Sequence, residues 1–115
     1  MADIMDRFET EVKRGVIQVA VMCLLEKELY GYDIIKHLKD VGLAVEEGTL
    51  YPILRRLDDE KILTSRWETS GPRPRKYYVI TENGKSIREK LLESLKSVTQ
   101  ALDTLESQMT TAGDA

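Results

Sequence analysis

The alternation of apolar and polar positions predicts three amphipathic helices in the first half of the chain. On each apolar face, residues recur three or four positions apart. In the first two helices they are Ile4, Met5, Phe8 and Val12, and then Tyr32, Ile34, Ile35 and Leu38. The first helix leads into the stretch from Val12 to Glu28, with Gly15 as a kink or close-packing point, and the second ends before Gly42.

The third helix is expected to begin near Gly48 or Thr49. Pro52 lacks a backbone N–H and is tolerated only in a first helical turn, where that donor has no partner within the helix. The apolar face has the spacing i, i+3, i+4 and i+7 and consists of Leu50, Ile53, Leu54 and Leu57. The opposite face is therefore offered to a partner, and it carries Thr49, Tyr51, Pro52, Arg55 and Arg56.

Two short runs rich in β-branched and aromatic residues, 62–69 and 76–80, predict a β-hairpin. Prolines at two positions of its tip stiffen the loop, so Arg73 and Arg75 would lose little conformational entropy on binding. A short helix with a basic edge followed by such a hairpin is typical of a winged helix-turn-helix, which makes a DNA-binding regulator the leading hypothesis.

A long C-terminal helix is predicted after Thr81, which can cap it. Apolar residues recur at steps of four and three for about three heptads. They are Ile87, Leu91, Leu95, Val98, Leu102, Leu105 and Met109. A helix from Thr81 to Met109 is on the order of 40 Å long, more than the small domain before it can cover. We therefore expect a homodimer in which this seam is buried against a second copy.

The predicted fold class is mainly α with a small β-hairpin, a winged helix-turn-helix plus a long C-terminal dimerisation helix. Residues 1–80 would form the DNA-binding domain, residues 81–110 the dimerisation helix, and residues 111–115 a disordered tail. The single Cys23 is expected to be buried and implies no disulfide framework, which fits a cytoplasmic protein. The apolar run around it is too short for a membrane span.

The charge balance restricts where a nucleic acid can bind. A net charge of −3 excludes a generally basic surface, so a DNA site must be a local patch. The hairpin supplies one, in which Arg66, Arg73, Arg75 and Lys76 face Glu68 alone. Acidic residues flank the third helix, however, and the pI is near 5.2. The alternative is therefore a winged-helix protein–protein interaction module without specific DNA binding.

Three motifs occur in a linked order: Tyr30-Gly31-Tyr32-Asp33-Ile34, then Gly48-Thr49-Leu50-Tyr51-Pro52-Ile53-Leu54-Arg55-Arg56-Leu57, then Arg75-Lys76-Tyr77-Tyr78 with Thr81 and Gly84. Over residues 12–85 the chain resembles the PadR family of bacterial transcriptional regulators, in its compact subgroup. The resemblance implies a homodimer on a double-stranded operator, with the third helix in the major groove and the wing on the backbone or minor groove. It further implies a repressor released by a small hydrophobic or phenolic effector.

The candidate DNA contacts are residues in or near these motifs whose side chains are polar or cationic and expected to be exposed. They are Tyr32, Thr49, Tyr51, Arg55, Arg56, Arg73, Arg75 and Lys76. Thr49 and Tyr51 can meet phosphate oxygens, with helix capping and packing against the wing as the alternatives. Arg55 can donate to guanine or phosphate, or form an intrahelical ion pair with Asp58 or Asp59.

The remaining candidates have alternatives of the same kind. Arg56 can pair with Asp59 or Glu60 instead of DNA, and Tyr32 can reach a phosphate or belong to the core. The wing cations Arg73, Arg75 and Lys76 are expected to have few partners within the chain, and a solvated tip is the alternative.

An effector site is predicted at the dimer interface, where it would change the spacing of the two recognition helices. Its walls would be Val19, Met22, Cys23, Leu95 and Val98, residues that a plain dimer core would also use. The last helix has no aromatic residue, so a drug sandwiched between tryptophans, known in some compact relatives, is not expected. One histidine cannot assemble a metal site, no cofactor is implied, and no nucleophile or phosphate loop points to an enzyme.

Overall fold

A computed structural model describes residues 3–114, with the side chains of residues 3–110, as a winged helix followed by a long helix. The elements in chain order are α1 (Asp3–Leu24), β1 (Leu29–Tyr30), α2 (Gly31–Asp40), α3 (Glu47–Asp59), β2 (Leu63–Glu68), β3 (Arg75–Ile80) and α4 (Glu82–Asp114). The predicted fold class, mainly α with a winged helix-turn-helix and a long C-terminal helix, is confirmed.

The apolar faces of α1, α2 and α3 meet in one core, closed by the sheet. On α3 the four stripe residues Leu50, Ile53, Leu54 and Leu57 are each 5% exposed or less. Helix α3 begins at Glu47, before the expected start at Gly48 or Thr49, so Pro52 is its sixth residue and lies in the second turn, not in the first turn where it was expected. Because the stripe faces inward, the opposite edge of α3 with Tyr51 and Arg55 is turned to solvent, as the periodicity predicts.

The sheet has three antiparallel strands in the order β1-β3-β2. The predicted hairpin is confirmed, and Trp67 stands opposite Lys76 in its register. The third strand, β1, was not predicted: Leu29 pairs with Tyr78 and Tyr30 with Tyr77. A strand of two residues is too short to display alternation, and its partner lies far along the chain, so local sequence carries no signal for it.

Helix α1 differs from its prediction in two respects. It ends at Leu24 and does not extend to Glu28, and a β-carbon on Gly15 would meet no atom within 4 Å, so Gly15 is not a close-packing point in this chain. Cys23 is exposed, not buried, because its neighbours Val21 and Met22 occupy the core-facing side of the helix. Within residues 3–114, no helix is long and apolar enough to cross a bilayer.

Helix α4 starts with the predicted cap. The Thr81 hydroxyl accepts a hydrogen bond from the Gly84 N–H at 2.9 Å and donates to the carbonyl of Lys61 at 2.8 Å. The backbone remains helical to Asp114, beyond the expected end at residue 110, because no proline or glycine interrupts residues 101–112. The rest of the predicted disordered tail, Ala115 and the side chains of 111–114, lies outside the described residues.

Two apolar stripes of the single chain face solvent. On α4 the seam begins at Ile87 and Leu91, which pack against the core, but its distal part, Val98, Leu102, Leu105 and Met109, is 55–71% exposed. On α1 the N-terminal stripe Ile4, Met5, Phe8 and Val12 is 49–71% exposed. Exposed apolar rows of this length mark surfaces that associate with a partner.

Candidate nucleic-acid interface

A cleft of about 680 Å³ opens between the solvent-facing edge of α3 and the wing, which consists of β2, β3 and the tip at residues 69–74. We call it the wing cleft. Its lining combines aromatic rings with cationic side chains: Tyr30, Tyr32, Tyr51, Trp67 and Tyr78, with Arg55, Arg73, Arg75 and Lys76, alongside Gly31 and Pro74. Among these residues there is no carboxylate, so the cleft suits an anionic partner.

One face of strand β2 forms part of the wall of this cleft. Leu63, Ser65 and Trp67 share one face of β2, because successive side chains point to opposite faces. Leu63 is buried in the core, and the Ser65 hydroxyl donates to Asp58 on α3. The same face therefore continues past the core and presents Trp67, 60% exposed, opposite Lys76 on β3.

The other wall is formed where α3 packs on the start of α2. The ring of Tyr51 covers Gly31, and burial, together with the Glu47 carboxylate, raises the pKa of Tyr51. Burial and then Asp58 raise the pKa of Tyr78 at the base of the cleft. Both phenols therefore remain neutral over the ordinary pH range and can donate a hydrogen bond to an anion.

Two of the wing cations contact more residues within the chain than the sequence predicts. The Arg75 guanidinium lies 4.8 Å from the ring centroid of Tyr30, and Lys76 Nζ lies 3.9 Å from Asp58. The expectation of few partners within the chain is therefore wrong for these two residues, because β1 and α3 pack beside the wing. Arg73, at the tip, forms no ion pair with any residue of 3–110.

Arg66 belongs to the basic patch in sequence but not in space. Its guanidinium donates two hydrogen bonds to the Glu28 carboxylate, at 2.8 and 2.7 Å, and lies 3.5 Å from Glu68. The bidentate contact raises the pKa of Arg66 and lowers that of Glu28. The prediction that the patch faces Glu68 alone is thus wrong, since folding brings in Glu28 from 38 positions away.

The cationic side chains of α3 are not neutralised by acidic neighbours within the described residues. Neither Arg55 nor Arg56 forms an ion pair with the side chains that the structure describes, so the intrahelical pairs predicted as alternatives are absent there. Asp58, the nearest candidate for Arg55, is occupied instead by Ser65 and Lys76. Arg55 lines the wing cleft, whereas Arg56 is exposed outside its lining.

Six of the eight candidate contacts thus meet at one site: Tyr32, Tyr51, Arg55, Arg73, Arg75 and Lys76 line the wing cleft. Thr49 and Arg56 are exposed on α3 but lie outside its lining, and Thr49 instead lines a groove between α3 and α1. Sequence reasoning missed Tyr30, Trp67 and Tyr78 as lining residues. Trp67 could have been found by counting back from the hairpin tip, which places it opposite Lys76, but Tyr30 reaches the site only through the unpredicted strand β1.

The residues proposed as effector-pocket walls differ in exposure in the single chain. Val19 and Met22 are 7% and 2% exposed and belong to the interior of the winged helix. Cys23 and Val98 are exposed on α1 and α4, and Leu95 is half-buried. Helix periodicity identified these residues as apolar but could not assign them to the domain core or to a partner surface.

No group of three His, Cys, Asp or Glu side chains able to hold a metal ion occurs in the described part of the chain. The chemistry of this surface is therefore that of aromatic rings, phenols and cations, of which Lys76 is paired with Asp58.

Comparison with known proteins agrees with this architecture. Residues 21–90 match the transcriptional regulator PadR-like family. The negative transcriptional regulator PadR of Bacillus subtilis is 36% identical over 75 residues, which are 61% of this chain and 41% of that protein. The chain thus spans less than half the length of that relative. A transcriptional regulator of Mycobacterium tuberculosis is 28% identical over 105 residues, covering 90% of this chain and 96% of that one.

Solved structures give the same result over most of the chain. A PadR family transcriptional regulator from Eggerthella lenta superimposes with a TM-score of 0.84 at 33% identity, covering 90% of this chain and 92% of that one. A PadR-like transcription factor from Bacteroides fragilis gives 0.72 at 36% identity, covering 86% and 98%. Members of the family are transcriptional regulators and not enzymes. This chain belongs to the PadR-like family of transcriptional regulators.

Proposed function

We propose that the protein is a cytoplasmic, sequence-specific transcriptional repressor that binds a pseudo-palindromic operator as a homodimer. The observation that carries the proposal is the wing cleft, in which four cationic side chains line one opening and no lining residue is acidic. The family's regulators, including one named a negative regulator, support the same reading.

The arrangement suits duplex DNA because two elements of different shape flank the cleft. The exposed edge of α3 carries Thr49, Arg55 and Arg56, and a helix of this kind fits the major groove. Arg73 on the wing tip then lies where it can contact the phosphates beside that groove. The acidic residues that flank α3 in sequence do not line the cleft, although Asp58 lies 3.9 Å from Lys76 in its lining. Arg55 and Arg73 are therefore the lining cations that carry no ion pair among residues 3–110 and no cation–π contact there.

A second copy of the chain accounts for the exposed apolar stripes. The distal seam of α4 and the N-terminal stripe of α1 would both be buried by pairing of two chains, and α4 has 33 residues along which to pair. A two-fold dimer presents two α3 helices to half-sites about 34–36 Å apart, one turn of DNA. A small hydrophobic or phenolic effector bound between the chains would change that spacing and release the operator.

The proposal is tested by selecting sequences bound by the purified protein from a pool of random duplex DNA at near-physiological salt. We expect enrichment of an inverted repeat, with half-sites about 10 base pairs apart or a multiple of that distance. Affinity for the selected site should fall with rising salt, at a slope of about −0.9 in log units for each phosphate contact. No enrichment together with a slope near zero would favour the protein–protein interaction module.

The dimer is tested independently by sedimentation equilibrium, which should give twice the 13.1 kDa chain mass. Replacing Val98 and Leu102 together with glutamate places charge in the seam and should yield a monomer. The matched control is Gln100→Glu, because residue 100 lies on the opposite side of α4 from the seam. Dimers of equal strength in both variants would contradict pairing through α4.

A further inference from the structure

The wing cleft exposes more aromatic surface than a base-paired duplex can use. Tyr32 and Trp67 are 61% and 60% exposed, and both line the cleft with Tyr51. In a duplex the faces of the bases are covered by stacking, and proteins reach only base edges, sugars and phosphates. An unpaired base offers its face, and aromatic side chains in a cationic groove are the usual platform for it.

Packing does not explain the indole of Trp67. Its cross-strand partner is Lys76, not an apolar residue, and the buried part of the same strand face ends at Leu63, four residues earlier. Beyond its contact with Lys76, the structure shows no ring contact of Trp67 with another residue of the described chain. The large exposed ring is therefore better explained by a planar partner than by the stability of the wing.

Cations stand beside the rings, where the phosphate of such a partner would lie. Lys76 Nζ is 5.8 Å from the centroid of the Trp67 ring, and the Arg75 guanidinium is 4.8 Å from that of Tyr30. Arg73 is in the same lining and has no ion pair among residues 3–110. The volume of about 680 Å³ lies within the range of sites that enclose small planar ligands.

We propose that the wing cleft binds an unpaired nucleotide, with its base stacked on Trp67 and its phosphate held by Arg73 and Lys76. The inference rests on the proposed function in one respect, since it places this nucleotide on the surface assigned to the operator. Occupation of the cleft by an unpaired nucleotide and docking of duplex DNA on α3 therefore exclude each other. A free nucleotide or a single strand would thus compete with the operator.

Trp67 is the only tryptophan, so its fluorescence reports on the cleft directly. The intact protein is titrated with an oligothymidylate of about eight nucleotides, with an abasic strand of equal length, and with thymidine monophosphate. We expect quenching and about tenfold or greater preference for the thymidine strand over the abasic strand. Equal affinity for the two strands would overturn the proposal, because phosphate contacts alone would then explain binding.

The probes also separate the sources of the nucleotide. Quenching by the monophosphate supports a free nucleotide as the ligand, quenching by the strand alone supports a single strand, and quenching by neither overturns the site. Duplex binding is measured in parallel on the same protein. If the duplex binds with the expected salt dependence while strands show no base preference, this inference alone fails. If neither duplex nor strand binds, the proposed function fails with it.

Two variants assign the stacking to Trp67, with binding measured by anisotropy of labelled strands. Trp67→Phe retains a planar ring and should keep most of the preference for the thymidine strand over the abasic strand. Trp67→Leu retains apolar bulk without a π face and should lose it. The side chain is largely exposed, so both variants should fold, which thermal unfolding verifies. An unchanged preference in the leucine variant would overturn the assignment.

Discussion

The phenol ring of Tyr51 on α3 lies against the α-carbon of Gly31 at the start of α2. A β-carbon on Gly31 would stand 2.5 Å from Cε1 and 2.6 Å from the hydroxyl oxygen of Tyr51, closer than real atoms approach. Only glycine leaves room for the ring in this position. Two motifs that are distant in sequence therefore describe one contact, which forms a wall of the wing cleft.

Gly31→Ala should displace the Tyr51 ring. The variant should still fold, but its affinity for duplex DNA should be lower than that of the parent protein. Tyr51 is 39% exposed and can swing outward, so we expect a loss of about 1 kcal/mol in the free energy of unfolding. In a Tyr51→Ala background the same change should cost close to nothing, which urea unfolding of the double-mutant cycle measures. An equal cost in both backgrounds would show that the ring is not the obstacle.

Gly84 and Gly15 should respond to alanine in opposite directions. A β-carbon on Gly84 would stand 2.2 Å from the backbone carbonyl oxygen of Ile62, which cannot move aside without shifting the chain. Gly84→Ala should therefore cost roughly 2 kcal/mol or more of unfolding free energy. Gly15→Ala, in open space within α1, should gain up to about 1 kcal/mol. Thermal unfolding of both variants tests the contrast.

Lys61 occupies a backbone conformation suited to glycine. After α3 its φ is 62°, and the Ile62 N–H donates to the Leu57 carbonyl at 2.9 Å, closing the helix as Gly42, with φ 89°, does after α2. Lys61→Gly should raise the free energy of unfolding by about 0.5 kcal/mol, and Gly42→Ala should lower it by about 1 kcal/mol. Denaturant titration would contradict this argument if both changes destabilised the fold.

Arg73 and Arg66 provide a matched pair for the wing. Arg73→Ala should weaken binding to all duplex sequences alike and reduce the salt slope by about 1, because it removes a free phosphate contact. Arg66→Ala should leave the slope unchanged, since Glu28 already neutralises that guanidinium. Removing Arg73 and Arg75 together should lower affinity further without changing operator preference. A changed preference would instead place one of them on a base edge.

Stability should fall as the solution becomes acidic. Hydrogen bonds from Arg88, Arg66 and Ser70 lower the pKa of Glu26, Glu28 and Glu68 respectively. Below about 4.5, the ordinary pKa, the unfolded chain takes up protons that the folded chain resists, so unfolding becomes more favourable. The contribution is fully present above that pH and is lost as the pH falls through the lowered values.

The pair between Glu26 and Arg88, which joins α1 to α4, gives a specific test of this pH dependence. Glu26→Gln should have a lower melting temperature than the parent protein at neutral pH and a shallower decline with acid. Salt should reduce the difference, because the carboxylate is exposed. Parallel curves for parent and variant across the acidic range would contradict the assignment.

The periodicity of the sequence alone predicted which face of each helix or strand is apolar. The four-residue stripe of α3, the apolar seam of α4 and the hairpin of β2 and β3 were predicted from the spacing of apolar and β-branched positions. Those patterns repeat every 3.6 or 2 residues and are written in neighbouring positions. The same rule could not distinguish Met22, which is in the core, from Val98, which is exposed on α4, because both are simply apolar.

Only the tertiary structure decided which charges remain free. Arg66 and Arg73 are equivalent in sequence, yet Glu28 neutralises the first, whereas the second has no ion pair among residues 3–110. Likewise the two-residue strand β1 brings Tyr30 under Arg75, and Asp58 turns to Lys76 and away from Arg55. Ion pairs and cation–π contacts act over a few ångströms between residues far apart in the chain. Their partners are therefore fixed by how the elements pack, and local spacing contains no record of that packing.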